Sequence, residues 1–128
     1  MLLDMQNIFS DAQEVKTTQY STNVVKFGNN DVSYVPLIIQ VVQNFTGLTA
    51  LTVEIETSAT ETFDTATSLV SSSLMASKLK TGALFPISYL PQGNLGYMRI
   101  KYSVMGTGTA GKITAGVVNA NELSWQNQ

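Results

Sequence analysis

The sequence predicts an all-β domain of antiparallel sheets, and two observations predict it. Apolar and polar residues alternate with a period of two along most of the chain, and turn-forming residues fall at short intervals between the alternating runs. In Leu51-Thr52-Val53-Glu54-Ile55-Glu56, Leu51, Val53 and Ile55 point one way and Thr52, Glu54 and Glu56 the other. In Tyr97-Met98-Arg99-Ile100-Lys101-Tyr102-Ser103-Val104, Met98, Ile100, Tyr102 and Val104 are expected to face the core. Such alternation belongs to antiparallel sheets with one wet face.

Further strands are expected over Thr17 to Phe27, Val35 to Phe45, Ser68 to Met75, Leu84 to Tyr89 and Lys112 to Asn119. The run Leu37-Ile38-Ile39-Gln40-Val41-Val42 is apolar almost throughout. It suits a central strand covered on both faces, or one with a face in the core and a face in an interface. Pro36 belongs near its start, because an interior proline removes a ladder hydrogen bond. Turns are expected at Gly28-Asn29-Asn30-Asp31, Asn44-Phe45-Thr46-Gly47, Lys80-Thr81-Gly82 and Pro91-Gln92-Gly93-Asn94. About seven or eight short strands at this spacing make a sandwich or a barrel, and a two-sheet jelly roll is one such arrangement.

Residues 2–15 depart from this pattern. Leu2, Met5, Phe9 and Ala12 stand at helical spacing, but no convincing cap precedes them, and an isolated helix of this length is marginal in water. The segment is read as an arm ordered by docking on a neighbour. Residues 57–66 read as a polar connection anchored by Phe63. The expected organisation is an arm over 1–16, a β-sandwich domain over 17–120 and a C-terminal tail over 121–128 anchored by Trp125.

Of the 128 residues, 44% are hydrophobic and only 12% charged, with a net charge of −2. That charged share is about half the usual one. The 15 Thr and 12 Ser account for much of it, and a large partner interface would account for the rest. The seven basic residues are scattered, so neither a nucleic-acid groove nor an anionic-lipid patch is expected. The chain has no Cys and no His, which removes Ser-His-Asp and Cys-His nucleophiles, disulfides and the usual zinc sites. Asp4 directly after Met1-Leu2-Leu3 argues against a secretion signal, and no stretch approaches the ~20 apolar residues of a membrane span. No enzyme activity, cofactor or metal is expected.

Three motifs deserve a bland reading. Gly106-Thr107-Gly108-Thr109-Ala110-Gly111 matches the dinucleotide fingerprint literally, but strand-like Lys112 to Val118 follows where a helix must stand. It reads as a flexible hairpin loop between the last two long strands. Glu54 and Glu56 read as solvated carboxylates that face Arg99 and Lys101 on a neighbouring strand, contributing roughly 0.2–1 kcal/mol per pair. Tyr20, Tyr34, Tyr89, Tyr97 and Trp125 read as half-buried sandwich aromatics, with a sugar-binding face as the alternative, for which Tyr97 and Trp125 are the leading candidates.

Several segments, in their order and spacing, resemble the small cement (decoration) proteins of short-tailed bacteriophage capsids. They are Met1 to Gln13; Ser21-Thr22-Asn23-Val24-Val25 with Gly28; Leu51 to Ser58; Leu90-Pro91-Gln92-Gly93; Tyr97-Met98-Arg99-Ile100; and Gly111 to Val118. The resemblance covers nearly the whole chain except 57–83. It implies an antiparallel two-sheet jelly-roll sandwich with an extended N-terminal arm, located on the outer surface of the capsid in the virion. It implies a homodimer, with a trimer as the alternative, that clamps neighbouring major capsid subunits against internal DNA pressure. The expected capsid contacts are the arm residues Leu2, Leu3, Ile8 and Phe9. The rival expectation is a glycan- or receptor-binding module on the virion surface.

Overall fold

Two strands of 22 residues each, Leu37–Ser58 and Tyr97–Val118, pair antiparallel along their whole length and form the spine of the molecule. The structure is a computed structural model that describes residues 3–28 and 35–118. In chain order the strands are β1 (Leu3–Glu14), β2 (Gln19–Tyr20), β3 (Val25–Lys26), β4 (Leu37–Ser58), β5 (Thr67–Met75) and β6 (Tyr97–Val118). A 3-10 turn, Ala76–Lys78, follows β5. Every strand pairing is antiparallel and the described residues hold no α-helix, so the chain is all-β as its alternation requires.

The order across the sheet is β1-β6-β4-β5, with β2 and β3 also on β6. β1 runs along residues 112–118 of β6, whereas β2 and β3 run along 97–102. The spine therefore has two halves with different neighbours. Side chains of both halves meet in one core that includes Phe9, Ile39, Val41, Leu51, Val53, Ile55, Met98, Ile100, Tyr102 and Ile113. The halves thus pack as two layers in a sandwich-like arrangement. Leu51, Val53 and Ile55 are fully buried, as are Tyr102 opposite Val53, Ile100 opposite Ile55, and Met98 two residues before Ile100 on the same strand. Each such side chain stabilises the fold by roughly 1.5–3 kcal/mol relative to exposure.

The bend between the halves lies where two turns were expected. Residues 44–47 sit inside β4 and 106–111 inside β6, and the β4–β6 register shifts four times between Val41 and Ala50. The expected hairpin loop at 106–111 is corrected: these residues are mid-strand. Glycine is required here because the backbones come too close for side chains. A Cβ on Gly47 would lie 2.1 Å from the Thr107 carbonyl oxygen, and one on Gly111 would lie 2.3 Å from the Phe45 ring. Both residues also have positive φ, which bulges tolerate best with glycine.

The N-terminal segment is likewise corrected. Residues 3–14 are neither a helix nor a free arm but a strand of the sheet, with Ile8, Phe9 and Ser10 buried, as is Val15 just after it. The helical spacing misleads because β1 slips register three times, which shifts side chains between faces and blurs its period. The expected strand Thr17–Phe27 is split into β2 and β3. Ser21 bonds Ile100 through its backbone and its hydroxyl, then Asn23 turns to the Phe9 carbonyl at 3.1 Å. Leu84 to Tyr89 meets β4 through the isolated bridges Gln40–Leu84 and Pro36–Tyr89, and Pro86 between them has no N–H to continue a ladder. Pro36 stands just before β4, where its missing donor costs least. Leu2, Asn29 to Asp31, Tyr34 and the tail 121–128 with Trp125 lie outside the described residues.

Candidate functional site

Three surface features stand out among the described residues, and the first is an apolar cleft. The start of β4, the end of β6 and the segment before Leu90 close around a volume of about 310 Å³ lined by Pro36, Leu37, Ile38, Leu84, Ser88, Tyr89 and Val118. Backbone bonds fix its walls: Leu37 N–H to the Ser88 carbonyl at 2.9 Å, Val118 N–H to Pro36 at 3.0 Å and Phe85 N–H to Ile39 at 3.0 Å. Leu84 and Tyr89 are 55% and 57% exposed at its rim. Large apolar side chains left exposed together on a rigid frame mark a binding surface. Leu37, Ile39 and Val41 face the core, while Ile38 faces this cleft.

The second feature is a row across three strands. Ala50 on β4 stands opposite Met75 on β5 and Met105 on β6, and the two methionines are 69% and 60% exposed. The next row is Ser73-Thr52-Ser103, with Thr52 and Ser73 hydroxyls 2.6 Å apart. Methionine adapts its shape to a partner more readily than branched side chains do.

The third is a cationic stack. Arg99 Nε lies 2.9 Å from Glu56 Oε1, and the guanidinium stands 3.7 Å from the Tyr20 ring centre and 4.3 Å from that of Phe63. The register pairs Glu56 with Arg99 and Glu54 with Lys101, so the carboxylates face the cations as expected, but Glu56 is buried and not solvated. Only the first forms an ion pair, since Glu54 instead accepts a hydrogen bond from Ser68 at 2.8 Å. Phe63 anchors the 57–66 connection as expected, with 8% of its surface exposed. It has a φ of 54°, and the local bond from its N–H to Thr60 O at 3.1 Å helps hold that conformation. Its ring covers the guanidinium, so Arg99 serves the fold and is not free for a ligand.

Of the residues expected to touch a partner, Leu3 opens β1 with its backbone opposite Val118, and Leu2 lies outside the described residues. Ile8 and Phe9 are corrected: they are 8% and 0% exposed within the chain's own core. An apolar residue in a segment without clear period can fill its own core as readily as a partner's. Among the aromatics considered for sugars, Tyr89 is exposed at the cleft, Tyr20 is occupied by Arg99 and Tyr97 is half-buried. The cleft was partly legible, because Leu37 to Val42 offered a second apolar face. Leu84 and Tyr89 carried no separate signal.

A family model described as Bbp16 matches residues 9–117, which is most of the chain. No curated protein matches it. The chain belongs to the Bbp16 family.

Proposed function

We propose that this protein is a non-enzymatic structural component of a virion. It binds the outer surface of a capsid and clamps neighbouring major capsid subunits, so that the shell resists internal DNA pressure. The observation that carries this reading is the apolar cleft. The sandwich presents Leu84 and Tyr89 beside the half-buried Ile38 at an apolar cleft whose floor includes the buried Val118. The resemblance of segments such as Leu90 to Gly93 and Gly111 to Val118 to cement proteins supports it.

The finer fold reading is a jelly roll. In this reading β1, 112–118, 37–41 and 83–90 form one layer and β2 with β3, 97–105, 50–58 and β5 the other, which the pairings of β1, β2, β3 and β5 and the bridges of 83–90 support. Four segments in each layer is the number such a fold needs.

The mechanism is mass action. Ligands that bind only the assembled shell stabilise it over free subunits, and a clamp engaging two subunits makes its second contact intramolecular. The test mixes the purified chain with undecorated capsids and measures binding and capsid disruption temperature. Wild type should bind and raise that temperature; Leu84→Asp with Tyr89→Ala should fold normally and bind at least tenfold more weakly. Equal binding by the double variant overturns the role of the cleft, and no binding by wild type overturns the function. A glycan-binding role is the second reading, favoured by the exposed Tyr89 ring beside the cleft. Carbohydrate binding lost in Tyr89→Ala would support it.

A further inference from the structure

We infer that β5 is the edge through which two copies of this chain join, in an antiparallel pairing centred on Ser72. The inference deepens the self-association implied by the clamp reading, because it names the strand and the register.

The edge strands β1 and β5 are built differently, and β2 and β3, which also border β6, are only two residues long, too short to template another strand. β1 slips register three times, carries exposed Asp11 and Glu14, and turns through positive φ at Ala12. Those are the devices that stop a foreign strand from adding to an edge. β5 has almost none of them. From Ala50–Met75 to Ile55–Val70 its rungs with β4 are unbroken, and the one irregularity lies beyond Val70. No charged residue and no proline occurs from Thr65 to Ser77. Among the described residues its ladder partner is β4 alone. A regular, uncharged edge of this kind is a template for another strand.

The residues of β5 complement themselves. A two-fold axis normal to the sheet keeps inner residues opposite inner and outer opposite outer, so it must pass through a residue. With Ser72 on the axis, Val70 meets Leu74 of the second copy on the inner face. Ser71 meets Ser73 on the outer face. Apolar opposes apolar and hydroxyl opposes hydroxyl, the pairings that stabilise neighbouring strands. No charge meets a charge. Centring on Ser73 would set Leu74 and Met75 against serines, and centring on Ser71 would set Val70 against Ser72 and Leu74 against Ser68. A second copy on this edge would join the two sheets into one.

The chain has no cysteine, so engineered pairs report cleanly. Opposed residues of an antiparallel pair lie about 4.5–5.5 Å apart between Cα atoms, within disulfide range. Under mild oxidation at low concentration, Ser72→Cys should link to itself. Ser71→Cys and Ser73→Cys should each link poorly alone and readily when mixed. Ser73→Lys, on the exposed outer face, should shift the native mass from dimer to monomer while the circular dichroism of the folded sheet stays unchanged. Absence of the Ser72→Cys link, or equal linking at all three positions, overturns the inference. A chain that binds capsids but fails to link refutes the edge and leaves the capsid reading intact. A chain that links but ignores capsids does the reverse.

Discussion

The hydroxyl oxygens of Ser10 and Tyr102 lie 2.7 Å apart in the core, joining β1 to the opposite layer. Ser10 donates onward to Gln13 Oε1 at 2.7 Å. Gln13 then ties β1 to β2 and its flank, accepting from the Thr22 N–H and hydroxyl and donating to Gln19 and to the Tyr20 carbonyl. Burial pushes the Tyr102 pKa far above its ordinary value, and the bond to Ser10 lowers it only in part.

That shift predicts an alkaline instability. Below the unfolded value of 10.0 both states keep the phenol proton, and Tyr102 adds no pH dependence. Above it the unfolded chain releases the proton while the folded chain holds it, so stability falls as pH rises, by at most about 1.4 kcal/mol per unit. Tyr102→Phe should cost about 1 kcal/mol at neutral pH and flatten this fall. Denaturant unfolding on either side of the unfolded value checks it.

Arg99→Ala should destabilise by about 2–4 kcal/mol, because Glu56 is left buried without its partner and two aromatic contacts vanish. Lys101→Ala, which breaks no ion pair, should stay within about 0.5 kcal/mol. Urea midpoints of the two variants settle the comparison.

Gly111→Ala should be among the most damaging single changes, since its Cβ would overlap the Phe45 ring at a φ of 142°. Gly82→Ala meets nothing within 4 Å and should cost only the strain of its φ, about 1 kcal/mol. A thermal melt that ranks them otherwise would contradict the bend described above.

Phe9→Ala should lower stability by about 3–5 kcal/mol, the cost of an aromatic removed from a packed core. If Phe9 served a partner instead, the isolated chain would keep its unfolding midpoint.

The strands that alternate cleanly were legible in the sequence. Leu51 to Glu56 and Met98 to Val104 alternate because one face meets the core, and the outward positions of Glu54 and Lys101 followed from that, whereas the burial of Glu56 beneath Arg99 did not. The bend was not legible. Gly47 and Gly106 to Gly111 carry the composition of turns, yet their partners lie about 60 residues away on the other long strand, and no local pattern reports so distant a contact. β1 was missed for the same reason: its slipped register hides its period, and the residues that order it come from the far end of β6. The cleft depends on where Leu84 and Tyr89 land against β4, which tertiary packing decides.

The long ladder also dictates an order of assembly. Ser58 pairs with Tyr97 and Leu37 with Val117, so the sequence gap closed by each rung widens steadily from one end of the ribbon to the other. Closing wider gaps costs more chain entropy, and chains rich in such distant pairings fold slowly. The cheapest rungs zip first, beside β5, and β1 is added last because its partner is the end that closes last. Pulse-labelled hydrogen exchange during refolding should therefore protect Ile55 and Ile100 before Ile39 and Ile113.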